Sequence, residues 1–456
     1  MMEILLRLPA RTLVSLRSVC RSWRNLISSP DFTRNHLRRS CLRDPSLITP
    51  PRIAYCNHDG FYGGIQSFSM QSMLDNPSDP TKVASISSET YYKIVGSCDG
   101  LLCFFDGFAS CGMHAILWNP CTGFTFESPE ISGQVLFCGF GYDYLSDSYK
   151  IYAATKKQGP SGFESSTKFY TFGQTSSWRK IDDIPVALFS FPSDNSCWTD
   201  NTEGEFFGSS RLCTLNWCVN QVVLYFDLTK EIYGHFSLPL GSEIDLDHYS
   251  PRRCTHLYVL RNCLSACYEH KRTREWIVWQ MKEYGDAQSW TKLAVISVHQ
   301  KSIYFTYHYL QPLYISESDV LWTFCPLYGI VLCNLNDGRV DFFVIDRGMG
   351  NHPFFSRCVR HKMACIYHES LVSPNGLQSR SSKTVAPSSN PNPSLLTLKA
   401  CLHLFLVKPS STTNLVINVI EFIYVSTMFI FQLQFTALTY FVCSSSCSCQ
   451  IILFPL

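Results

Sequence analysis

Charge is scarce in this chain, and the little there is nearly cancels. Of 456 residues, 16% are Asp, Glu, Lys or Arg, and the formal net charge is +2. Such a balance offers no bulk field to nucleic acid or to an anionic membrane surface. Lysine is missing from the first forty residues, where arginine is frequent; a basic face on short helices reads as solvated surface. No phosphate-binding P-loop, no Gly-rich dinucleotide fingerprint and no His-Glu-x-x-His is present, which removes three common routes to nucleotide and zinc chemistry. Carboxylates are sparse, and none forms a recognisable catalytic pair with a base. Met1 to Leu8 carries Glu3 and Arg7 and is too short for the apolar region of a signal peptide. No Asn-x-Ser/Thr sequon with x other than Pro occurs. The 22 cysteines are therefore expected to be reduced thiols of the cytoplasm and/or nucleus, acting as small buried hydrophobes rather than as a disulfide framework.

What is present points first to a β-rich body. Aromatics make up 14% of the chain, and low charge with high aromatic content fits many half-buried strands. The length suggests two or three domains. The first forty residues differ from the rest. Val19, Trp23, Leu26 and Ile27 fall at helical spacing, and Leu13, Leu16 and Cys20 repeat the pattern upstream. Pro9 and Pro30 stand where helices begin, since a missing N–H costs nothing in a first turn. Several very short helices in series follow from this. So little chain cannot bury a core alone, so it must pack on the body of the chain or on another protein.

Glu3-Ile4-Leu5-Leu6-Arg7-Leu8-Pro9, Leu13, Leu16-Arg17, Val19-Cys20, Ser22-Trp23 and Leu26-Ile27-Ser28-Ser29-Pro30-Asp31-Phe32 together resemble a plant F-box. The resemblance implies a substrate-receptor subunit of a Skp–cullin–F-box (SCF) ubiquitin ligase, whose short helices interlock with a Skp-type adaptor and, through it, cullin. It implies that Leu8, Pro9, Leu13, Leu16, Val19, Cys20, Trp23, Leu26 and Ile27 form the packed helices and the adaptor-binding face. The family usually has a Leu-Pro and an acidic turn ahead of the Glu-Ile-Leu that stands here at Glu3, and this sequence starts at Met1; a weakened hold on the adaptor is the expectation.

Beyond a polar connector at 41–52, period 3.6 gives way to short alternating runs. Ile94-Val95-Gly96 and Leu101 to Phe105 read as strands joined at Asp99-Gly100, a tight-turn signal. A strand–turn–strand unit then recurs at a pitch of roughly fifty residues, within the range of propeller blades. Its members centre on Ile116 to Phe126, Phe169 to Ile181, Val222 to Phe236, Trp276 to Leu293 and Ile330 to Phe343, with Ile65 to Met70 as a degenerate first copy. Small sheets with two apolar faces each bury them by stacking radially into a ring; a β-sandwich or an irregular meander is the alternative.

Val95 to Cys103, Leu117-Trp118-Asn119-Pro120-Cys121-Thr122, Gly139-Phe140-Gly141-Tyr142-Asp143, Asp147-Ser148-Tyr149-Lys150, Trp279 to Gly285, Ser289 to Leu293 and Glu369 to Asn375 resemble, in order, the kelch-like F-box-associated domain of plants. The expected fold class is thus α+β multi-domain: an all-α F-box over 1–40, an all-β, propeller-like domain over 53–375, and a low-order tail. In that tail, 376–413 is Ser/Pro/Asn-rich and reads as disordered linker, and 414–456 is apolar. Phe422 to Val442 holds no charged residue and has about the length a bilayer requires. It reads as a membrane anchor or as translated non-coding sequence.

Two apparent chemical motifs dissolve on reading. Gly96-Ser97-Cys98-Asp99-Gly100 has the form of a nucleophile elbow, but an elbow needs a helix after its turn, and here another strand follows. Cys358, His361, Cys365 and His368 are plausible zinc ligand types, yet in an extended chain they do not converge. Trp118, Trp178, Trp279 and Trp290 sit at strand spacing and read as blade core rather than a stacking platform. No catalytic residue, metal site or cofactor is expected. The reading is a receptor that docks an adaptor by its helices and a protein target by its β domain, for ubiquitination. A non-ligase scaffold or tail-anchored interaction protein, and a β-propeller enzyme, are the rivals.

Overall fold

The computed structural model describes residues 2–41, most of 51–373, and 385–386; its longest internal gaps are 185–202, 240–255, 298–309 and 345–363. The chain divides into two compact units, Met1–Arg11 with Pro30–Ser389, and Thr12–Ser29 with Asn390–Leu456. Four helices come first: α1 (Met2–Leu5), α2 (Ala10–Leu16), α3 (Arg21–Ile27) and α4 (Pro30–Cys41). Pro9 precedes α2 rather than opening it, while Pro30 does open α4.

The first unit is a six-bladed propeller. Its first blade comprises β1 (Arg52–Asp59), β2 (Tyr62–Ser69) and β3 (Lys82–Ser88), with helix α5 (Met70–Asp75) between the last two. The second is β4 (Tyr92–Cys98), β5 (Leu101–Phe108), β6 (Gly112–Trp118) and β7 (Thr125–Glu127). The third is β8 (Gln134–Asp143), β9 (Ser148–Gly159), β10 (Gly162–Thr171) and β11 (Arg179–Lys180). The fourth is β12 (Glu203–Ser209), β13 (Leu212–Val219), β14 (Val222–Asp227) and β15 (Ile232–Ser237). The fifth is β16 (His256–Leu260), β17 (Cys263–Glu269), β18 (Trp276–Met281) and β19 (Trp290–Ile296). The sixth is β20 (Gln311–Ile315), β21 (Val320–Cys325), β22 (Gly329–Asn334) and β23 (Val340–Val344).

Ring closure uses the far end of the chain. Strand β24 (Ala364–Tyr367) pairs antiparallel with β1, Ile53 opposite Ile366, and becomes the innermost strand of the first blade. A two-residue strand, β25 (Val385–Ala386), pairs with β3 at the outer edge of that blade, inside the stretch the sequence suggested as disordered linker. The third and fourth blades are joined by a parallel contact of their inner strands, Cys138 opposite Glu203.

Every recurring unit picked out in the sequence is the outer part of one blade. The inner strands carry little alternation because both their faces are enclosed. Tyr92 to Ser97 is buried at every position but the last, and Leu136 to Gly141 is buried throughout. Radial stacking leaves such strands no wet face.

Side chains fasten neighbouring blades all round the ring. Ser97 Oγ donates to Ile366 O at 2.6 Å, from the second blade to the first. Tyr149 OH donates to Asp99 at 2.9 Å, from the third to the second. Trp217 Nε1 donates to Cys138 O at 3.1 Å, from the fourth to the third. The fifth blade reaches the fourth through Trp290 Nε1 to Ser237 O at 3.3 Å and through Tyr284 OH to Asn216 Oδ1 at 2.6 Å. Arg261 pairs with Asp319 at 2.6 Å between the fifth and sixth. Gln311 Nε2 donates to Ala364 O at 2.6 Å and closes the circle.

The quoted family motifs are mostly these fasteners. Asp99 and Gly100 form the two-residue turn between β4 and β5, with φ of +51° and +80°. A side chain at Gly100 would stand 2.5 Å from His368 O and from Ser370 Oγ. Ser370 Oγ donates to Asp99 O at 2.6 Å. Asn119, fully buried, donates to Ser370 O at 3.1 Å and Val372 O at 2.8 Å, and accepts from Cys121 N and Thr122 N. The segment after β24 is thus riveted to the second blade. Between the third and fourth blades, Gly141 leaves room for Phe206 and for Leu228, whose Cδ1 would lie 2.9 Å from a Cβ there.

Trp118 and Trp290 are core, as their strand spacing predicted, while Trp178 and Trp279 are half-buried. Trp178 Nε1 donates to Pro129 O at 2.8 Å, and Lys292 Nζ lies 5.6 Å from the Trp279 ring centroid. Among the described residues no helix is long and apolar enough to cross a membrane. The run Phe422 to Val442 lies outside them.

Candidate functional site

The helical segment Thr12–Ser29 is built from very short pieces. After α2 the chain tightens: Arg17 N donates to Leu13 O and Val14 O at 3.2 and 3.3 Å, and Val19 N to Leu16 O at 3.2 Å. Cys20 is extended, and its Sγ accepts from Trp23 N at 3.4 Å as the cap of α3. Sulfur is a weak acceptor in a place usually held by a hydroxyl or carboxylate. Helix α3 then makes two turns, too few to persist on propensity alone. Ser28 N donates to Arg24 O at 3.0 Å, and Ser29 Oγ to Leu26 O at 2.8 Å, which ends it.

Burial sorts the nine residues named from the sequence. Leu13 and Ile27 are fully enclosed, and Leu16 and Leu8 are buried. Val19, Trp23 and Leu26 are half-exposed, and Cys20 and Pro9 are exposed. Leu8 and Pro9 fall in the first compact unit, Leu13 to Ile27 in the second. Around Trp23 the segment therefore offers an apolar, partly open row with buried residues at Leu16 and Ile27. Thr12–Ser29 contains Arg17, Arg21 and Arg24 and no acidic residue.

The flanking helices are tied to the propeller. Buried His36 donates from Nε2 to Leu8 O at 2.9 Å; burial lowers its pKa and keeps the ring neutral. Arg39 meets Glu3 at 2.6 Å, linking α4 to α1. Leu37 packs on the core that Val95, Phe140 and Val372 share. Arg34 bridges Asp31 on its own helix and Asp147 in the β8–β9 turn, at 3.3 and 3.0 Å.

The innermost tie is Arg11 to Glu369. Arg11 Nε lies 2.9 Å from a carboxylate only 1% exposed, which Arg52 Nε also approaches at 3.4 Å. Burial pulls the Arg11 pKa down, but the charge and hydrogen bond of Glu369, with smaller contributions from Cys121 and Tyr367, together make the net shift upward. Arg11 and Glu369 were not foreseen as partners. They stand 358 positions apart, and the only signal was that Glu369 opens the last family-like motif.

A second buried charge pair lies at the β8–β9 turn. Lys150 Nζ meets Asp143 at 2.8 Å and also donates to Leu228 O at 3.0 Å. Asp143 further accepts from Thr229 Oγ1, Ser146 Oγ and Leu145 N at 2.7, 2.6 and 3.0 Å. Burial pushes its pKa up, yet Lys150 and the hydroxyl and amide donors together hold it at about 2. These carboxylates face cations and, at Asp143, hydroxyl donors. Tyr142, hydrogen-bonded to Asp147, completes the turn.

The elbow-like stretch is a hairpin, and its Cys98 is a buried thiol at the end of β4. Of the zinc-type residues, Cys358 and His361 lie outside the described residues, while Cys365 is buried in β24. Among the described residues no group of three His, Cys, Asp or Glu could hold a metal ion.

Two family models match this chain. The F-box domain covers residues 1–35, and the F-box associated beta propeller domain covers 56–365. This is an F-box protein of the F-box-associated propeller family. Its relatives include the F-box/kelch-repeat protein At3g23880 of Arabidopsis thaliana, 28% identical over 83% of this chain and 95% of that one. F-box protein CPR1 of the same plant is 25% identical over 69% of this chain and 76% of its own length. The kelch-like character of the β domain, read from scattered motifs, agrees with the printed name of the first.

Proposed function

We propose that this F-box protein is the substrate-receptor subunit of an SCF ubiquitin ligase. Its F-box binds a Skp-type adaptor, which connects it to cullin, and its propeller holds a protein target. The observation that carries this is the half-exposed apolar row at Val19, Trp23 and Leu26, on a segment that matches the F-box model. Cys20 adds exposed surface, and Leu13, Leu16 and Ile27 of the same segment are buried. No nucleophile in this chain is needed. A target held near a ubiquitin-loaded enzyme reacts faster because its lysine is locally concentrated. The cytoplasm and nucleus are the compartments this role fits.

Strand direction favours one face of the propeller for the target. Arg11 reaches Glu369, just past β24, and Val83 O near the start of β3; Arg34 reaches the β8–β9 turn. All these points lie on one face. The strand ends that lead from blade to blade, with the longest connecting stretches in the sequence, leave from the other. Connections there are free to vary without disturbing the blades.

Trp23→Ala in the full chain is expected to weaken Skp-type adaptor binding by about 30-fold, the loss typical of an aromatic anchor. Its thermal unfolding should change little, because Trp23 is only half-buried. Calorimetric titration checks the first and a melting curve the second. Equal affinity in variant and unaltered chain contradicts the proposal.

A further inference from the structure

The F-box helix α3 carries cations that the rest of the described chain leaves unanswered. Arg21 and Arg24 are both exposed and stand three residues apart, on neighbouring positions of one helix face. Like charges so placed repel, and neither has an acidic partner among the described residues. Arg24 Nε donates to Arg17 O at 3.3 Å, a bond that fixes the side chain without neutralising it. Arg21 makes no described side-chain bond at all. By contrast, Arg11, Arg34 and Arg39, on the flanking helices, each face a carboxylate. Among the described residues, three of the four arginines on the flanking helices are thus paired within the chain and Arg38 is exposed without a carboxylate, while beside the half-exposed Trp23 and Leu26 both Arg21 and Arg24 are left free.

From this contrast we infer that Arg21 and Arg24 are an electrostatic guide for the adaptor, whose docking face must present carboxylates around the apolar pocket that receives Trp23. The inference rests on the receptor reading and adds the chemistry of the partner's surface. Apolar anchors set how long the complex lasts. Rim charges set how fast it forms and how steeply that rate falls with salt. Both arginines are solvent-exposed, so their pull acts over about a Debye length, near 10 Å at 0.1 M salt, and fades above it. Bringing carboxylates within that range also relieves the repulsion between the two guanidinium groups.

The test is the association rate of the full chain with a purified Skp-type adaptor, followed across a salt series from about 0.03 to 0.5 M. For the unaltered chain the rate should fall at least about tenfold over the series. For the Arg21→Gln, Arg24→Gln double variant it should start about five- to tenfold lower and fall no more than about twofold. Arg21→Gln alone, which removes no described bond, should give an intermediate slope and so guards against a folding defect in the double variant. Trp23→Ala should raise the dissociation rate and keep the steep slope. A double variant with the slope of the unaltered chain overturns the guide while leaving the receptor reading intact. No binding by the unaltered chain at any salt overturns the receptor reading, and the guide with it.

Discussion

Asp143→Ala is expected to destabilise the propeller by about 4 kcal/mol, the cost of leaving one member of a buried ion pair alone. Lys150 is 10% exposed at its side chain and Asp143 3%. Without the carboxylate, the ammonium keeps Leu228 O and the face of the Phe169 ring, 5.3 Å from its centroid. Thr229, Ser146 and Leu145 N lose their acceptor at the same time. The loss should appear as a lower urea midpoint. Asp143→Leu with Lys150→Met should recover much of it, because a neutral pair carries no desolvation cost.

The same site sets an acid limit. Asp143 in the fold titrates at about 2, below its ordinary 3.8, so the folded state binds its proton less readily than the unfolded chain. Its contribution, on the order of 2 kcal/mol, is fully present above about pH 4 and disappears as pH falls through about 2. In Asp143→Ala that part of the acid dependence should be absent.

Glu369→Ala is expected to cost about 3 kcal/mol and to loosen the helices at the chain start. Its carboxylate is shared by Arg11 and Arg52, and the segment that carries it also rivets β24 to the second blade through Ser370 and Val372. Removing it leaves the Arg11 and Arg52 guanidinium groups without the carboxylate they share. Amide hydrogen exchange should quicken in residues 2–11 and 30–41, and in the β1–β24 pairing. Arg11→Ala should cost only about 1 kcal/mol, since Arg52 remains to balance Glu369. If both variants behaved alike, or exchange at the chain start stayed unchanged, this contact would be incidental to how the helices are held.

The outer half of each blade was legible in the sequence because its signals are local. Asn119 to Gly123 and Asn336 to Gly338 mark turns on their own, and the flanking strands alternate enough to be seen. The number of blades was not legible. One blade is split between residues 52–88 and the four residues of β24, and no local pattern joins stretches so far apart. Inner strands such as β4 and β8 hide for the opposite reason: both faces are buried, so no period distinguishes in from out.

At the helical segment, spacing gave the row of Val19, Trp23, Leu26 and Ile27, but not its division into open and enclosed positions. Ile27 and Trp23 are four residues apart and differ because packing decides exposure. Cys20 as a helix cap, the Arg11–Glu369 pair and the freedom of Arg21 are equally matters of who stands opposite, which one strand of sequence does not state. Asp143 and Lys150 were picked out as the ends of two family motifs, Gly139 to Asp143 and Asp147 to Lys150, whereas their work as a fastener between blades became clear only once Leu228 and Thr229 were seen against them.

The most direct test of the receptor role is light scattering on a size-exclusion column, with the purified full chain mixed with a Skp-type adaptor and cullin. The account predicts one species containing one copy of each, lost when Trp23→Ala and Leu26→Ala are combined. Separate elution of the intact chain, with the propeller folded and the adaptor still able to hold cullin, would contradict it.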